Sequence, residues 1–154
     1  MTNLKTKKTL NLTKKNKFDI YLLKETEWGK KKLSQKKWFE KNINKNDLHN
    51  LLYLKSRLIG YNCIRQFDLK KNQISKNVLL FDTLVINKNF RKLNLSTKIM
   101  TKSINIIEKS KKPCLLVCLK KHVNYYKKFG WKKIYRTELN INLNKNKILM
   151  IYRK

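Results

Sequence analysis

The chain has 154 residues, a formal net charge of +30, three cysteines and no alanine. This length suits a single folded domain that buries roughly two-thirds of its unfolded surface. No apolar run approaches a membrane span, and the basic, polar start lacks the apolar core of a secretory signal, so we expect a cytoplasmic protein.

The high positive charge has two interpretations. Lysine, asparagine and isoleucine are used heavily, as in AT-rich genomes, and the lysines are spread along the chain as on a solvated surface. The other interpretation is a polyanionic partner such as nucleic acid, although arginine, the better reader of phosphates, is scarce. Either way, the surface should attract anions non-specifically at low salt.

The sequence of the first third of the chain predicts a basic N-terminal arm, then a strand, then one or two helices. Residues 1–17 form a basic N-terminal arm that is either mobile or paired at a sheet edge through residues 10–13, and the folded domain spans residues 18–154. Residues 18–23 (FDIYLL) have the bulky side chains of a strand. In residues 26–42, aromatic residues recur at loosely helical spacing among lysines. This pattern predicts one or two amphipathic helices, with base stacking in nucleic-acid binding as the alternative.

Two strands are predicted next, at residues 51–55 and 58–67, and they form a hairpin. His49 lies in the polar segment before them and is predicted to be a loop residue. Residues 70–75 (KKNQIS) form a polar connection to the next strand.

The middle of the chain predicts a βαβ unit. Residues 78–86 (VLLFDTLVI) are a nearly unbroken apolar run, typical of a strand covered on both faces. Apolar residues at helical spacing follow in residues 95–107. Pro113 then blocks further helix, and residues 114–119 (CLLVCL) form a second buried strand.

The remainder predicts a closing hairpin from residues 133–136 and 148–153, joined through the polar residues 139–147. We therefore predict an α/β (α+β) domain with a mixed, mostly antiparallel sheet of about six to seven strands flanked by helices. The cysteines, Cys63, Cys114 and Cys118, lie in apolar runs and are predicted to be buried thiols. We predict no metal site.

A βαβ unit brings the loop after its first strand to the ligand-binding edge of the sheet, where a helix N-terminus favours phosphate. Here residues 91–96 (RKLNLS) resemble the Arg/Gln-x-x-Gly-x-Gly/Ala loop of GCN5-related N-acetyltransferases (GNAT). Residues 125–131 (YYKKFGW) are similar to the "fYekfGF" segment of the same family. Asn94 stands where the first glycine of the loop belongs, and Ser96 stands at the Gly/Ala position.

The resemblance implies a GNAT-like sheet and transfer of an acetyl group from acetyl-CoA to a small-molecule or peptide amine. It implies that nine residues bind the cofactor: Leu84, Val85, Ile86, Arg91, Lys92, Leu93, Asn94, Leu95 and Ser96. It also implies that Tyr126 protonates the departing thiolate, and the alternative for Tyr126 is an aromatic residue that only packs. Asp82 is a candidate general base, with pairing to a lysine or to backbone as its alternative, and His122 is a second candidate.

The alternative function is a basic GNAT-fold module that has lost cofactor affinity and binds nucleic acid. The sequence leaves the oligomeric state open, with a homodimer as one alternative.

Overall fold

The structure, a computed structural model, describes residues 1–71, 74–135 and 143–153. Within these ranges the chain forms seven strands: β1 Thr2–Lys8, β2 Leu48–Leu54, β3 Arg57–Lys71, β4 Ile74–Ile86, β5 Cys114–Leu119, β6 Lys132–Lys133 and β7 Lys147–Tyr152. The same ranges contain four α-helices: α1 Lys14–Trp28, α2 Lys32–Asn42, α3 Leu95–Ser110 and α4 Val123–Lys127. None of these helices is long and apolar enough to cross a membrane.

All seven strands form one sheet in the order β1-β2-β3-β4-β5-β7-β6. Neighbouring strands are antiparallel, except that β4 and β5 are parallel and joined through α3, so the predicted central βαβ unit is present. The predicted fold class, a mostly antiparallel mixed sheet flanked by helices, is therefore confirmed. Strand β5 begins and ends where the sequence predicts it, and the predicted hairpin is formed by β2 and β3.

The helices cover opposite faces of the sheet. Leu51 packs in a cluster with residues of α1 and α2, whereas its neighbour Leu52 packs with Leu95 and Ile99 of α3. Because side chains alternate along a strand, these two clusters lie on opposite sides. On the α3 face, Gly60 leaves room for the helix, since a Cβ added there would lie 2.7 Å from Cδ1 of Ile86 and 2.9 Å from Cδ1 of Ile99.

The prediction of a strand at residues 18–23 is wrong, because these residues lie inside α1. A capping box starts this helix: the Thr13 side chain accepts a hydrogen bond from the Asn16 amide at 3.1 Å, and the Asn16 side chain accepts one from the Thr13 amide at 3.2 Å. Gly29, in the left-handed conformation at φ 63°, ends it. The bulky residues therefore follow helical spacing, with Ile20, Leu23 and Lys24 buried. The aromatic-rich stretch predicted as one or two helices becomes the end of α1 and the whole of α2.

The N-terminal residues belong to the sheet. Thr2–Lys8 form the edge strand β1, paired antiparallel with β2, and residues 14–17 belong to α1. The expected edge pairing through residues 10–13 is limited to single backbone contacts such as the Leu10 amide with the Lys45 carbonyl at 3.1 Å. The three cysteines are free and buried, as predicted.

The closing hairpin is present as β6 paired with β7, and β7 also pairs with β5. Strand β6 is shorter than residues 133–136 predict, since it comprises Lys132–Lys133. Residues 139–142 of the polar segment predicted at residues 139–147 lie outside the described residues. Of the connection predicted at residues 70–75, residues 70–71 belong to β3 and residues 74–75 to β4, and residues 72–73 lie outside the described residues.

Strand β4 contains a bulge that shapes the functional region. The register between β3 and β4 shifts at the bulge, and Thr83 there has φ 59°. A β-branched residue at positive φ is a genuine outlier, and such strain concentrates at functional sites. Because of the inserted residue, Phe81 and Leu84 pack on the same face although they are three positions apart in the sequence. Asp82 lies between them in the sequence and faces the other side of the sheet, where it contacts Arg65.

Candidate cofactor slot and active site

The two parallel strands separate where the sequence motifs meet. The described pairing of β4 with β5 joins Leu79 to Cys114 and Leu80 to Leu115, although the strands continue to Ile86 and Leu119. Beyond these pairs lies a cavity of about 380 Å³, here named the β4–β5 slot. Its walls are formed by the last residues of β4, the loop before α3, the start of α3, one residue of α1 and the α4 region: Glu27, Leu84, Val85, Ile86, Phe90, Arg91, Lys92, Asn94, Leu95, Ser96, His122, Tyr125 and Tyr126.

The slot gathers most of the predicted site residues. Eight of the nine candidate cofactor residues and Tyr126 line it. Leu93 does not line it, and its side chain is exposed to 63%. Asp82 does not line it either. These residues are up to 42 positions apart along the chain (Leu84 to Tyr126), so their convergence is a property of the βαβ unit and of the turn into α4.

The loop before α3 takes a glycine-like conformation without glycine. Lys92 and Asn94 have φ 69° and φ 52°, both in the left-handed region. This conformation costs roughly 1–2 kcal/mol for an ordinary side chain and less for asparagine. Lys92 and Asn94 therefore adopt the turn that glycine would form, and Lys92 adds its side chain to the wall of the slot. The amides of Leu95 and Ser96 open the first turn of α3, where an α-helix supplies no internal acceptor.

Arg91 is anchored at the outer part of the slot. Its Nε donates a hydrogen bond to the Ile86 carbonyl at 3.2 Å, and its guanidinium forms an ion pair with Glu27 at the end of α1. The Glu27 carboxylate thus binds the Arg91 guanidinium, which the family resemblance predicts to bind the diphosphate of the cofactor. Sequence analysis did not find Glu27, because its proximity to Arg91 depends on α1 being a helix.

Tyr126 lies in an aromatic cluster on the α3 face. Its ring meets Phe81 edge-on at a centroid distance of 6.2 Å and Trp131 at 6.3 Å. Burial raises the pKa of its phenol well above the ordinary value near 10, and the neighbouring Cys118 acts in the same direction. The phenol therefore stays protonated at neutral pH and can donate a proton.

Tyr125 has a different environment. Its hydroxyl is buried and makes no hydrogen bond of standard geometry within the described residues. Burial raises its pKa, and the nearby Ser96 hydroxyl partly opposes that rise. The Tyr125 hydroxyl thus lies beside the Ser96 hydroxyl at the wall of the slot.

The two candidate bases are placed apart. His122 lines the slot and is exposed. Asp82 faces α1 and α2, where its carboxylate accepts hydrogen bonds from Arg65 Nη1 at 3.0 Å and from Thr83 Oγ1 at 2.9 Å. The alternative prediction for Asp82 names a lysine or backbone as its partner, whereas the side chains that contact its carboxylate are Arg65 and Thr83.

The prediction that His49 is a loop residue is wrong. His49 lies in β2 and is fully buried between the rings of Phe39 and Tyr61, at centroid distances of 5.6 and 5.9 Å. Its two ring nitrogens lie 2.8 Å from the Tyr61 hydroxyl and 2.8 Å from the Thr9 hydroxyl. This histidine is a buried member of the core and lies outside the slot.

Comparisons with known proteins identify the fold. No model of a known protein family matches the chain, and no curated protein matches it. Solved structures do match. An acyl-CoA N-acyltransferase from Pseudomonas aeruginosa has a TM-score of 0.75 at 15% identity, with 100% of both chains covered. A GNAT-family acetyltransferase from Staphylococcus aureus has a TM-score of 0.66 at 13% identity, with 97% of this chain and 98% of that chain covered.

A third match is the Bacillus subtilis N-acetyltransferase YlbP in complex with coenzyme A, with a TM-score of 0.63 at 14% identity and coverage of 100% of this chain and 97% of that chain. Similarity at this level of identity identifies the fold and leaves the reaction open. The protein therefore has the GCN5-related N-acetyltransferase fold.

Proposed function

We propose that this protein transfers an acyl group, with acetyl-CoA as the donor, to an amine acceptor. The observation that carries the proposal is the β4–β5 slot, which unites a helix N-terminus, two cations and a protonated phenol in one cavity. A ligand with a diphosphate at one end and a thioester at the other matches this order of groups.

The slot residues fit a coenzyme A thioester. Arg91 and Lys92, with the amides that open α3, supply the positive field and donors that a diphosphate requires. Leu84 and Val85 lie on the part of β4 that has left its pairing with β5, so the pantetheine arm can run along this edge.

The chain's own residues then have distinct roles. When bound, the thioester supplies an activated acyl group and a thiolate leaving group. Tyr126 holds a proton at its hydroxyl at neutral pH, because burial disfavours the phenolate. It donates this proton to the departing sulfur as the bond between the acyl carbon and sulfur breaks, and the proton that the amine loses on acylation restores the phenol. Phe81 and Trp131 pack against the Tyr126 ring and position it at the wall of the slot. Arg91 would hold the diphosphate in place of its contact with Glu27.

A thermal-shift titration tests donor binding. Acetyl-CoA should raise Tm, because a ligand that binds the folded state alone adds about 2.7 kcal/mol of stability at a hundredfold excess over its Kd. ATP and inorganic pyrophosphate are run beside it as polyanion controls. An equal rise with all three would assign the effect to general anion binding, and no rise with acetyl-CoA would overturn the proposal.

The second candidate function is nucleic-acid binding, which the net charge of +30 favours. Counterion release makes such binding fall by orders of magnitude between roughly 50 and 200 mM salt when about 6 to 10 phosphates are contacted. Binding of a thioester in the slot should weaken much less. If an RNA or DNA oligomer binds at sub-micromolar Kd near physiological salt while coenzyme A does not, the order of the two candidates is reversed. The cytoplasmic location stays a prediction, and so does the homodimer as one alternative for the oligomeric state.

A further inference from the structure

A compact cluster of three charged side chains and one tryptophan lies across the sheet from Tyr126. It consists of Lys24, Trp38, Arg65 and Asp82 and is here named the Lys24 cluster. The Lys24 Nζ lies 4.0 Å from the centre of the Trp38 ring, and the Arg65 guanidinium carbon lies 5.5 Å from it. Arg65 donates to Asp82 at 3.0 Å and to the Asn42 carbonyl at 2.7 Å.

The Lys24 cluster has more buried cations than anions. Asp82 is paired with Arg65, and the Arg65 Nε is buried without a hydrogen-bond partner in the described part of the chain. Lys24 is 5% exposed, and among the described residues its ammonium meets the Trp38 and Trp28 rings, with no carboxylate or carbonyl in hydrogen-bond contact. Burial lowers the pKa of Lys24, while Asp82 opposes that shift. A buried cation in this state is stabilised by an added anion.

The position of the cluster relates it to the reaction. Asp82 lies two residues before Leu84, which lines the slot, and its neighbour Phe81 packs against Tyr126 on the opposite face. The slot proposed for the thioester is lined by Tyr125 and Tyr126 on the α4 side, so the acceptor is assigned to the other face of the sheet, that of α1 and α2. On β5, beyond its last pairing with β4, Val117 and Leu119 are exposed to 39% and 41%.

We propose that the amine acceptor also carries a carboxylate, and that Lys24 binds this carboxylate. The inference rests on the proposed acyl transfer. A net charge of +1 in the Lys24 cluster and +30 over the chain repels polycationic amines such as polyamines, whereas a carboxylate supplies the missing partner of Lys24. The same positive field favours the neutral, nucleophilic form of the amine. A free amino acid and the N-terminus of an acidic peptide share this chemistry.

Acceptor specificity tests the proposal directly. Release of the coenzyme A thiol is measured with glycine against glycinamide, with a Glu-rich peptide against its Gln-rich counterpart, and with spermidine. We expect kcat/KM at least about tenfold higher for each acid than for its amide, since a hydrogen bond between charged groups is worth that much. The free amino acid and peptide arms distinguish the two sources of the carboxylate. Equal rates for acid and amide, or a preference for spermidine, would overturn the proposal.

Substitutions in α1 test whether Lys24 causes the preference for acids over amides. Lys24→Met should reduce the acid-to-amide ratio to about one, and Lys24→Arg should restore part of it. The matched control is Lys15→Met, which removes the same charge from an exposed site of α1 and should leave the ratio unchanged. If Lys24→Met retains the wild-type ratio, Lys24 does not bind the acceptor.

A binding measurement keeps the test independent of turnover. Trp38 lies against Lys24, so its fluorescence should respond to N-acetylglycine, a product analogue with a carboxylate, and much less to N-acetylglycinamide. No difference between the two probes in wild-type protein would contradict the Lys24 subsite even where no acceptor is turned over. Failure of acetyl-CoA to bind, with the N-acetylglycine response intact, would instead overturn the acyl-transfer proposal alone.

Discussion

Two consecutive residues of β4 face opposite environments, and the contrast explains how one strand can serve both halves of a transfer reaction. Phe81 packs among Tyr126 and Trp131 in an apolar cluster. Asp82 faces Arg65 and the rest of the Lys24 cluster on the other side of the sheet. Low polarity on one face and concentrated charge on the other are thus separated by the thickness of a single strand.

The comparison shows that one physical cause acts in opposite directions on two titratable groups. Burial raises the pKa of the Tyr126 phenol and lowers the pKa of the Lys24 ammonium. In both cases it favours the neutral form, because a charge loses hydration when it is buried. The apolar face therefore preserves a proton donor, whereas the charged face gains by taking up an anion.

Removal of the Phe81 ring should cause the largest loss of stability on the aromatic face of β4. Phe81→Ala deletes a buried ring that contacts both Tyr126 and Trp131, and we expect a loss of about 3–5 kcal/mol in the free energy of unfolding. Urea denaturation measures it. The control is Leu119→Ala on β5, where the side chain is 41% exposed and the loss should stay below about 1 kcal/mol. Similar losses in the two variants would contradict a tightly packed aromatic cluster.

The α1–α2 face also holds His49, whose burial lowers its pKa from 6.5 to about 4. The unfolded chain binds a proton near pH 6.5 and the folded chain only near pH 4, so stability is lost as pH falls between these values. The loss amounts to about 3 kcal/mol, measured by urea denaturation at a series of pH values. His49→Phe should remove this part of the pH dependence, whatever its baseline stability. His122→Gln, at the exposed histidine, should keep it, and a flat wild-type profile would argue against a neutral buried imidazole.

Tyr126→Phe tests the proton donor itself. The ring stays in the aromatic cluster, so the fold should persist, while loss of the hydroxyl should lower kcat by roughly 10²-fold. The Kd of coenzyme A should hardly change, because the proton is given in the transition state.

Tyr125→Phe is the matched control for Tyr126→Phe, because it deletes a neighbouring hydroxyl whose direction on the helix differs by about 100°. Its kcat should stay near the wild-type value in steady-state kinetics. Equal turnover by Tyr126→Phe and wild type would show that Tyr126 only packs, and a loss confined to Tyr125→Phe would place the donor one residue earlier.

The smallest expected effect concerns Glu27, the carboxylate from α1 that reaches the slot. Glu27→Gln frees Arg91 from its ion pair, and coenzyme A should then bind about two- to fivefold more tightly, the range expected for a partly exposed pair. Isothermal titration calorimetry measures the Kd, with Glu25→Gln on the same helix as the control. Weaker binding in Glu27→Gln would mean that Glu27 orients Arg91 and does not compete for it.

The sequence by itself determined the central βαβ unit. Strand β5 and the start of α3 follow from local signals, namely an apolar run, helical spacing and Pro113. Most of the slot residues were also found in this way, because the loop before α3 and the turn at α4 are contiguous segments that carry the family motifs. Local sequence was ambiguous at residues 18–23, where a short run of bulky residues suits a strand or a buried helix equally.

Only the tertiary structure decided which charged groups meet. Glu27 pairs with Arg91 across 64 positions of the chain, and Arg65 pairs with Asp82 across 17 positions. The bulge at Thr83 sets whether Asp82 faces the slot or the α1–α2 face, because a shift of one residue moves a side chain to the other side of a sheet. That register depends on pairing with β3 and on the packing of four helices, and no local pattern in β4 encodes it.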